Sequence, residues 1–159
     1  MPGITAVLHT HNDALRLGRA LETLCPCDEI LIFDRSSDDG TLRIAREYGA
    51  KVISEYGDSD YAEALHIAKA HWILCLDPRE ALTEGLSAAL FEWKSTVIPD
   101  LSSSFAVFQR EETFAGWIQD PAPKTRLVPA GWRNWNRYFP VNDSSAVLLD
   151  GELLRFAFP

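Results

Sequence analysis

Short apolar segments alternate with helix-forming segments along the first 94 residues, and this alternation leaves few possible folds. Segments 4–10, 29–34, 51–54 and 72–76 are rich in the β-branched and large apolar residues typical of strands. Each is followed by a segment of about ten residues with helical spacing or a high Ala content. These predicted helices are 15–24, 41–48, 60–70 and 83–94. The pattern predicts right-handed βαβ units in an α/β sandwich of three layers, with a mainly parallel sheet between helices.

Polar residues stand at the ends of three predicted strands. These residues are Thr10, Asp34 and Asp77. Open α/β sheets bind their ligands just outside the carboxyl ends of the strands. We therefore expect the functional site at this edge of the sheet.

The pattern changes after residue 95. A short strand is predicted at 105–108, and residues 115–140 are rich in Trp, Pro and Arg. Residues 146–156 are predicted to form a hairpin that turns at Asp150-Gly151. The length of 159 residues suits one domain. We expect a single domain, 1–159, with a strand–helix part at 1–94 and a small β-rich part at 95–159.

Charge and composition exclude several classes of function. The net charge of −8 argues against a nucleic-acid partner. All of that charge falls within residues 1–100, so phosphate binding there would favour a divalent cation. The three cysteines form neither a disulfide framework nor a zinc motif. No segment has the length of a membrane span or the composition of a signal peptide, which predicts a cytoplasmic protein. Glycine-rich dinucleotide and phosphate-loop motifs are absent from the sequence.

Four motifs carry a resemblance to a known family. They are Thr10-His11-Asn12-Asp13, then Asp34 followed by Asp38-Asp39-Gly40-Thr41, then Gly49-Ala50-Lys51-Val52-Ile53, and finally Leu76-Asp77-Pro78-Arg79-Glu80. In this order and spacing they resemble the family 2 glycosyltransferases, and most closely the subgroup that includes lipopolysaccharide-core transferases. The resemblance is thinner beyond residue 95, where it covers Gly116-Trp117-Ile118, Lys124-Thr125-Arg126-Leu127 and Val141-Asn142-Asp143.

The resemblance implies a GT-A fold and an activity. The expected reaction moves a sugar from a nucleotide-diphosphate sugar to a hydroxyl of a glycan or lipid-linked glycan, with inversion, in cell-surface polysaccharide or lipopolysaccharide synthesis. The enzyme would be cytoplasmic or peripheral to the inner face of the membrane. The implied nucleotide-binding residues are Thr10, Asn12, Asp13, Asp34 and Asp39. Asp77 and Glu80 would hold Mg²⁺ or Mn²⁺, Arg79, Lys124 and Arg126 would contact phosphate or acceptor, and Asp143 would be the base.

Two departures from the family pattern bear on activity. Arg79 stands where the family has a second Asp, and Tyr61-Ala62 stands where the subgroup has Arg-Asn. Either Glu80 replaces the missing acid, or Arg79 itself neutralises the diphosphate as a fixed cation. In the second case nucleotide binding depends less on a divalent cation. The competing interpretation is a catalytically inactive module of the same fold that binds a nucleotide or a partner. Nucleotidyl transfer is disfavoured because the Gly-rich loop after the first strand is missing.

Overall fold

The computed structural model describes residues 2–54, 60–96 and 100–159. The first part alternates strands and helices as predicted. In chain order its elements are β1 (Ile4–Thr10), α1 (Ala14–Glu22), β2 (Glu29–Asp34), α2 (Thr41–Glu47), β3 (Lys51–Ser54), α3 (Tyr61–Ala64) with a 3-10 turn at Leu65–Ile67, β4 (Trp72–Cys75), β5 (Glu80–Leu82) and α4 (Glu84–Ser95). The helix predicted over 60–70 is shorter than expected, and β5 was not predicted.

The second part is β-rich. Its strands are β6 (Phe105–Thr113), β7 (Gly116–Gln119), β8 (Lys124–Pro129), β9 (Trp135–Asn136), β10 (Phe139–Pro140) and β11 (Val147–Arg155). Among the described residues, nine strands form one sheet in the order β3-β2-β1-β4-β8-β6-β11-β5, with β7 on β6. The strands β3, β2, β1 and β4 run parallel, whereas β8 joins β4 and β6 antiparallel. The predicted α/β architecture with a β-rich second part is confirmed.

Apolar side chains cover both faces of the sheet. One core cluster joins Ala6 and Leu8 of β1 to α1, α2 and α4. The other joins Val7 of the same strand to α3 and to the segment 130–139. Alternate residues of β1 therefore enter opposite clusters, as the period of a strand requires. This burial on both faces explains why the first strands are apolar almost throughout.

The hairpin predicted over 146–156 is wrong. Residues 147–155 form one strand, β11, whose register along β6 shifts between Leu148 and Glu152. Gly151 lies at this irregularity with a φ of 87°, and a Cβ there would come within 2.1 Å of the Leu86 backbone nitrogen. The Asp-Gly pair thus makes a bulge against the start of α4 instead of a turn.

Candidate functional site

The parallel register brings the predicted strand ends together at one edge of the sheet. Thr10 lies opposite Asp34 across β1 and β2, and Val7 lies opposite Cys75, which places Asp77 just beyond the end of β4. A cavity of about 280 Å³ opens at this edge, and we call it the first cavity. Its lining includes His9, Thr10, His11, Asp13, Arg16, Phe33, Asp34, Arg35, Asp77, Pro78, Arg79 and Tyr138. Five predicted site residues therefore share one cavity, namely Thr10, Asp13, Asp34, Asp77 and Arg79.

Asp34 is held as an ionised acceptor at the end of β2. Thr10 Oγ1 donates to its Oδ1 at 2.6 Å, and Ser37 donates from its backbone nitrogen at 2.9 Å and from Oγ at 2.6 Å. Burial works to raise the pKa of the Asp34 carboxyl, but the hydrogen bonds from Ser37 and Thr10 outweigh it and lower that pKa. The carboxylate is therefore fixed and charged at the cavity wall.

Asn12 and Asp39 tie together the loops that follow β1 and β2. Asn12 Oδ1 accepts from the Asp38 nitrogen at 2.9 Å, and Asn12 has a positive φ of 52°. Asp39 accepts from the Thr41 nitrogen at 3.0 Å and from the Ala14 nitrogen at 3.2 Å. These contacts fix the conformation of the two loops, and neither residue lines the first cavity.

Asp77 and Arg79 form an ion pair at the mouth of the first cavity. Arg79 Nε lies 3.1 Å from Asp77 Oδ1, and the Arg79 backbone nitrogen donates to the same oxygen at 2.9 Å. Burial opposes ionisation of Asp77, yet Arg79 and the more distant Arg155 hold its pKa below the usual range. Burial raises the pKa of nearby Asp13, and the charge of Asp77 adds to the effect. Arg79 Nη2 also donates to Asp77 Oδ2 at 3.4 Å, but the side chain remains 43% exposed, so its free edge can reach a ligand.

Glu80 and Arg126 occupy the interior behind this loop. Arg126 Nη1 and Nη2 donate to the two carboxylate oxygens of Glu80 at 2.7 and 3.0 Å, and Gln109 Nε2 also contacts the carboxylate. Glu80 Oε1 accepts from the Asp77 nitrogen at 2.8 Å. Glu80 is 1% exposed and Arg126 is 6% exposed. Each charge is buried against the other, and Glu80 holds the Asp77 loop in place. Metal binding by Glu80 and phosphate or acceptor contact by Arg126 stay predictions.

Lys124 and Asp143 lie outside the first cavity. Lys124 lines a second cavity, of about 560 Å³, between β8, β10 and the end of β11. Asp143 lines another depression beside Arg133 and Asn134. Ser104 Oγ and Ser145 Oγ each donate to the Asp143 carboxylate at 2.7 Å. The hydrogen bonds from Ser145 and Ser104 lower the pKa of Asp143, as in a capped turn.

The first cavity does not hold a complete set of metal ligands of its own. Among residues 2–54, 60–96 and 100–159, no group of three His, Cys, Asp or Glu side chains is placed to hold an ion. Asp77, the acid nearest the mouth, is already paired with Arg79. A divalent cation here would depend on oxygens of a bound phosphate and would compete with the guanidinium.

An aromatic wall was missed by sequence reasoning. His9 stacks on Tyr138 with ring centroids 3.7 Å apart and on Phe33 at 5.1 Å. Burial lowers the pKa of His9 to about 3, so the ring is neutral at pH 7. Tyr138 comes from the β-rich part, 129 positions away in the chain from His9, and no local pattern links the two residues. Only the fold brings this wall to the cavity.

The proteins that this chain resembles in sequence include glycosyltransferases. The chain is 36% identical over 92 residues to an uncharacterized glycosyltransferase of Rickettsia felis, a match that covers 54% of this chain and 32% of that protein. A similar protein of Rickettsia bellii is 36% identical over 89 residues, covering 52% and 30%. The chain thus matches about a third of the length of these relatives. No family model matches the sequence.

The comparison with solved structures is consistent with the sequence comparison. The structure resembles glucosyl-3-phosphoglycerate synthase from Mycobacterium tuberculosis, solved with Mn²⁺, UDP and glucosyl-3-phosphoglycerate. The TM-score is 0.50 at 18% identity, and the match covers 69% of this chain and 44% of that one. At this identity the similarity establishes the GT-A fold alone. Within the part of the chain that the structure describes, no helix is long and apolar enough to cross a membrane.

Proposed function

We propose that this chain is the donor-binding core of a glycosyltransferase that uses a nucleoside-diphosphate sugar. The observation that carries the proposal is the joint position of Asp34 and the Asp77–Arg79 pair around one strand-end cavity. The sequence relatives, which are glycosyltransferases, support the same reaction class. The subgroup of lipopolysaccharide-core transferases remains part of the proposal.

Each group of the cavity has a chemical task in this proposal. Asp34, kept ionised by Ser37 and Thr10, accepts hydrogen bonds from N–H or O–H groups of the nucleoside. Beside it, His9 is stacked between Phe33 and Tyr138, and the Tyr138 ring provides stacking area for a base. Arg79 faces the diphosphate and stabilises the negative charge that grows as the bond to the sugar breaks.

The proposed transfer follows an inverting course. The bond between the anomeric carbon and the diphosphate oxygen breaks, and a bond to the acceptor oxygen forms on the opposite face of the sugar. The acceptor hydroxyl loses its proton to a base, and the leaving diphosphate keeps the electron pair. When a Mg²⁺ or Mn²⁺ ion is bound with the nucleotide, it adds positive charge beside the leaving group. The residues described here supply such charge themselves through Arg79.

The base is proposed to be Asp143, and a single substitution tests this assignment. The carboxylate must exchange its bonds with Ser104 and Ser145 for one to the acceptor. With Asp143→Asn, loss of a general base lowers kcat about 100-fold or more at unchanged UDP affinity. A drop in thermal stability with kcat intact would assign Asp143 to the turn instead.

The acceptor and the place of action are further parts of the proposal. We propose a glycan or lipid-linked glycan acceptor in cell-surface polysaccharide or lipopolysaccharide synthesis, with the enzyme in the cytoplasm or at the inner face of the membrane. The second candidate function is an inactive nucleotide- or partner-binding module. The specific observation in its favour is Arg79, which occupies the carboxylate of Asp77.

One experiment separates transfer from binding alone. The purified chain is incubated with UDP-, GDP- and dTDP-sugars, with Mn²⁺ or with chelator, and release of nucleoside diphosphate is measured. We expect slow release from at least one donor and calorimetric binding of the matching nucleoside diphosphate. Binding without any release would favour the inactive module. If no nucleotide binds, both the transferase and a nucleotide-binding module are ruled out, and only a partner-binding module is left.

A further inference from the structure

The second cavity differs from the rest of the molecule in charge. Among the described residues that line it, the charged side chains are Lys124, Arg126 and Arg155, and none is Asp or Glu. The whole chain carries a net charge of −8, whereas this lining presents cations, each with an acid within 4 Å outside the lining. A concave surface lined by one sign of charge concentrates ligands of the opposite sign.

Two of these cations keep capacity for a ligand. Arg126 is neutralised by Glu80 through two short hydrogen bonds. Arg155 Nη1 lies 3.6 Å from Glu80 Oε2 and 3.9 Å from Asp77 Oδ2, and its Nε lies 3.9 Å from Glu111 Oε1, all separations longer than a hydrogen bond. Lys124 is 36% exposed and lies 3.3 Å from Asp120 on the surface. Lys124 and Arg155 can therefore turn donors toward an anion in the cavity.

The neutral part of the lining suits a sugar. Asn136 and Gln109 supply amide groups, and Phe139 supplies a ring, with the Arg126 guanidinium 4.4 Å from its centroid. Amides bind hydroxyl groups as donors and acceptors, and an aromatic ring packs against apolar C–H faces. The volume of about 560 Å³ falls in the range of small-molecule sites.

Arg155 connects the second cavity to the first. Its side chain lines the second cavity and approaches Asp77, which lines the first. A ligand that fills the second cavity thus lies beside the loop that carries Arg79. Asn142 lines both this cavity and the depression that holds Asp143, so an acceptor bound here is also near the proposed base.

We propose that the second cavity binds the acceptor, and that Lys124 and Arg155 select an acceptor sugar bearing an anionic group, a phosphate or a carboxylate. The inference rests on the proposed function, since an acceptor implies a transfer reaction. It names the chemical class of the acceptor, which the donor site does not determine.

Side-chain amide signals provide a local test. The full chain, labelled with ¹⁵N, is titrated with glucose 6-phosphate, with glucose as the neutral match, and with inorganic phosphate. We expect the side-chain NH₂ signals of Gln109 and Asn136 to shift with glucose 6-phosphate and to stay in place with glucose. Lys124→Met should weaken this binding about ten-fold, the typical worth of a charge-assisted hydrogen bond. Lys51→Met, an exposed lysine on β3, is the matched control and should bind as wild type does.

The outcomes distinguish this inference from the proposed function. Equal shifts with glucose and glucose 6-phosphate, or unchanged affinity in Lys124→Met, would overturn the anionic selection. Inorganic phosphate that binds as tightly as the sugar phosphate would reduce the cavity to a simple anion site and overturn the acceptor assignment. UDP is titrated separately onto wild type, where shifts of the Thr10–Asp13 backbone amides report on the first cavity. Their absence would contradict the proposed function, whatever the sugar phosphate does.

Discussion

The strand–helix part and the β-rich part build their cavities in different ways. The first cavity is assembled mostly from loops that follow β1, β2 and β4, and its hydrogen bonds join residues in neighbouring βα units. The second cavity is assembled from residues between 109 and 155, on strands β6, β8, β10 and β11 that do not form repeated βα units. The first part carries the whole net negative charge, whereas residues 101–159 hold equal numbers of acids and bases. Parallel βα units end at one edge of the sheet, so the position of the first cavity follows from the repeat. The mixed part of the sheet has no such repeat, so the position of the second cavity depends on individual contacts.

The buried ion pair Glu80–Arg126 joins the strand–helix part to the β-rich part. Breaking it should cause the largest loss of stability. Glu80→Ala leaves the Arg126 guanidinium buried and uncompensated, and removes the acceptor of the Asp77 nitrogen. We expect a loss of about 3–5 kcal/mol in the free energy of unfolding, measured by urea denaturation. Glu92→Ala, at an exposed position of α4, is the control. A loss below about 1 kcal/mol would contradict a buried Arg126 left without a compensating charge.

Gly151 tests how closely the bulge in β11 approaches α4. In Gly151→Ala the new Cβ meets backbone atoms of Leu86 at a positive φ, so one of the two segments must shift. We expect a loss of about 2–3 kcal/mol in the free energy of unfolding. Gly131→Ala is the matched control, because a Cβ there meets nothing within 4 Å. Similar thermal stability of the two variants would contradict the close approach.

His9 should make the stability of the protein depend on pH, because its neutral ring packs against Tyr138 and so joins the first part to the second. Its folded pKa of about 3 lies below the unfolded value near 6.5, so the unfolded chain binds the extra proton between these limits. Stability therefore falls as the pH drops from 6.5 toward 3. For this one group we expect a loss of at most about 2 kcal/mol between pH 7 and pH 5. His9→Phe should remove that part of the slope, and an identical pH profile in both proteins would show that His9 charges freely.

Arg79 has the smallest expected effect, and it concerns the first cavity alone. At an effective dielectric of about 20 and roughly 6 Å, one unit charge beside a diphosphate is worth about 3 kcal/mol before screening. The side chain is 43% exposed, so we expect about a ten-fold change in UDP affinity after screening. Calorimetry should show that wild type binds UDP in chelator and that Arg79→Asp needs Mn²⁺. Arg43→Asp, on the exposed face of α2, serves as the control. An equally strong Mn²⁺ requirement in wild type and Arg79→Asp would mean that Arg79 points away from the phosphates.

Much of the first part was predictable because its signals are local. Apolar strands separated by helices lead to a parallel sheet, and parallel strands end at one edge. Thr10, Asp34 and Asp77 could therefore be assigned to one site from their places at strand ends, and the structure brings them to one cavity. Asn12 and Asp39 were assigned to the same site, but their side chains form hydrogen bonds between the loops instead of lining the cavity.

What the sequence by itself determined is the α/β class, the order of the first strands and the edge at which polar residues gather. Strand period and helix spacing are properties of neighbouring residues, so the chain displays them before it folds. Tertiary structure alone decided that Glu80 turns inward to Arg126, that β11 is a single bulged strand, and that Tyr138 reaches His9. These outcomes depend on residues that are from 42 positions apart, for Phe105 and Val147, to 129 positions apart, for His9 and Tyr138. An acid can bind a metal, an arginine or a backbone nitrogen, and the partner that packing places beside it determines which.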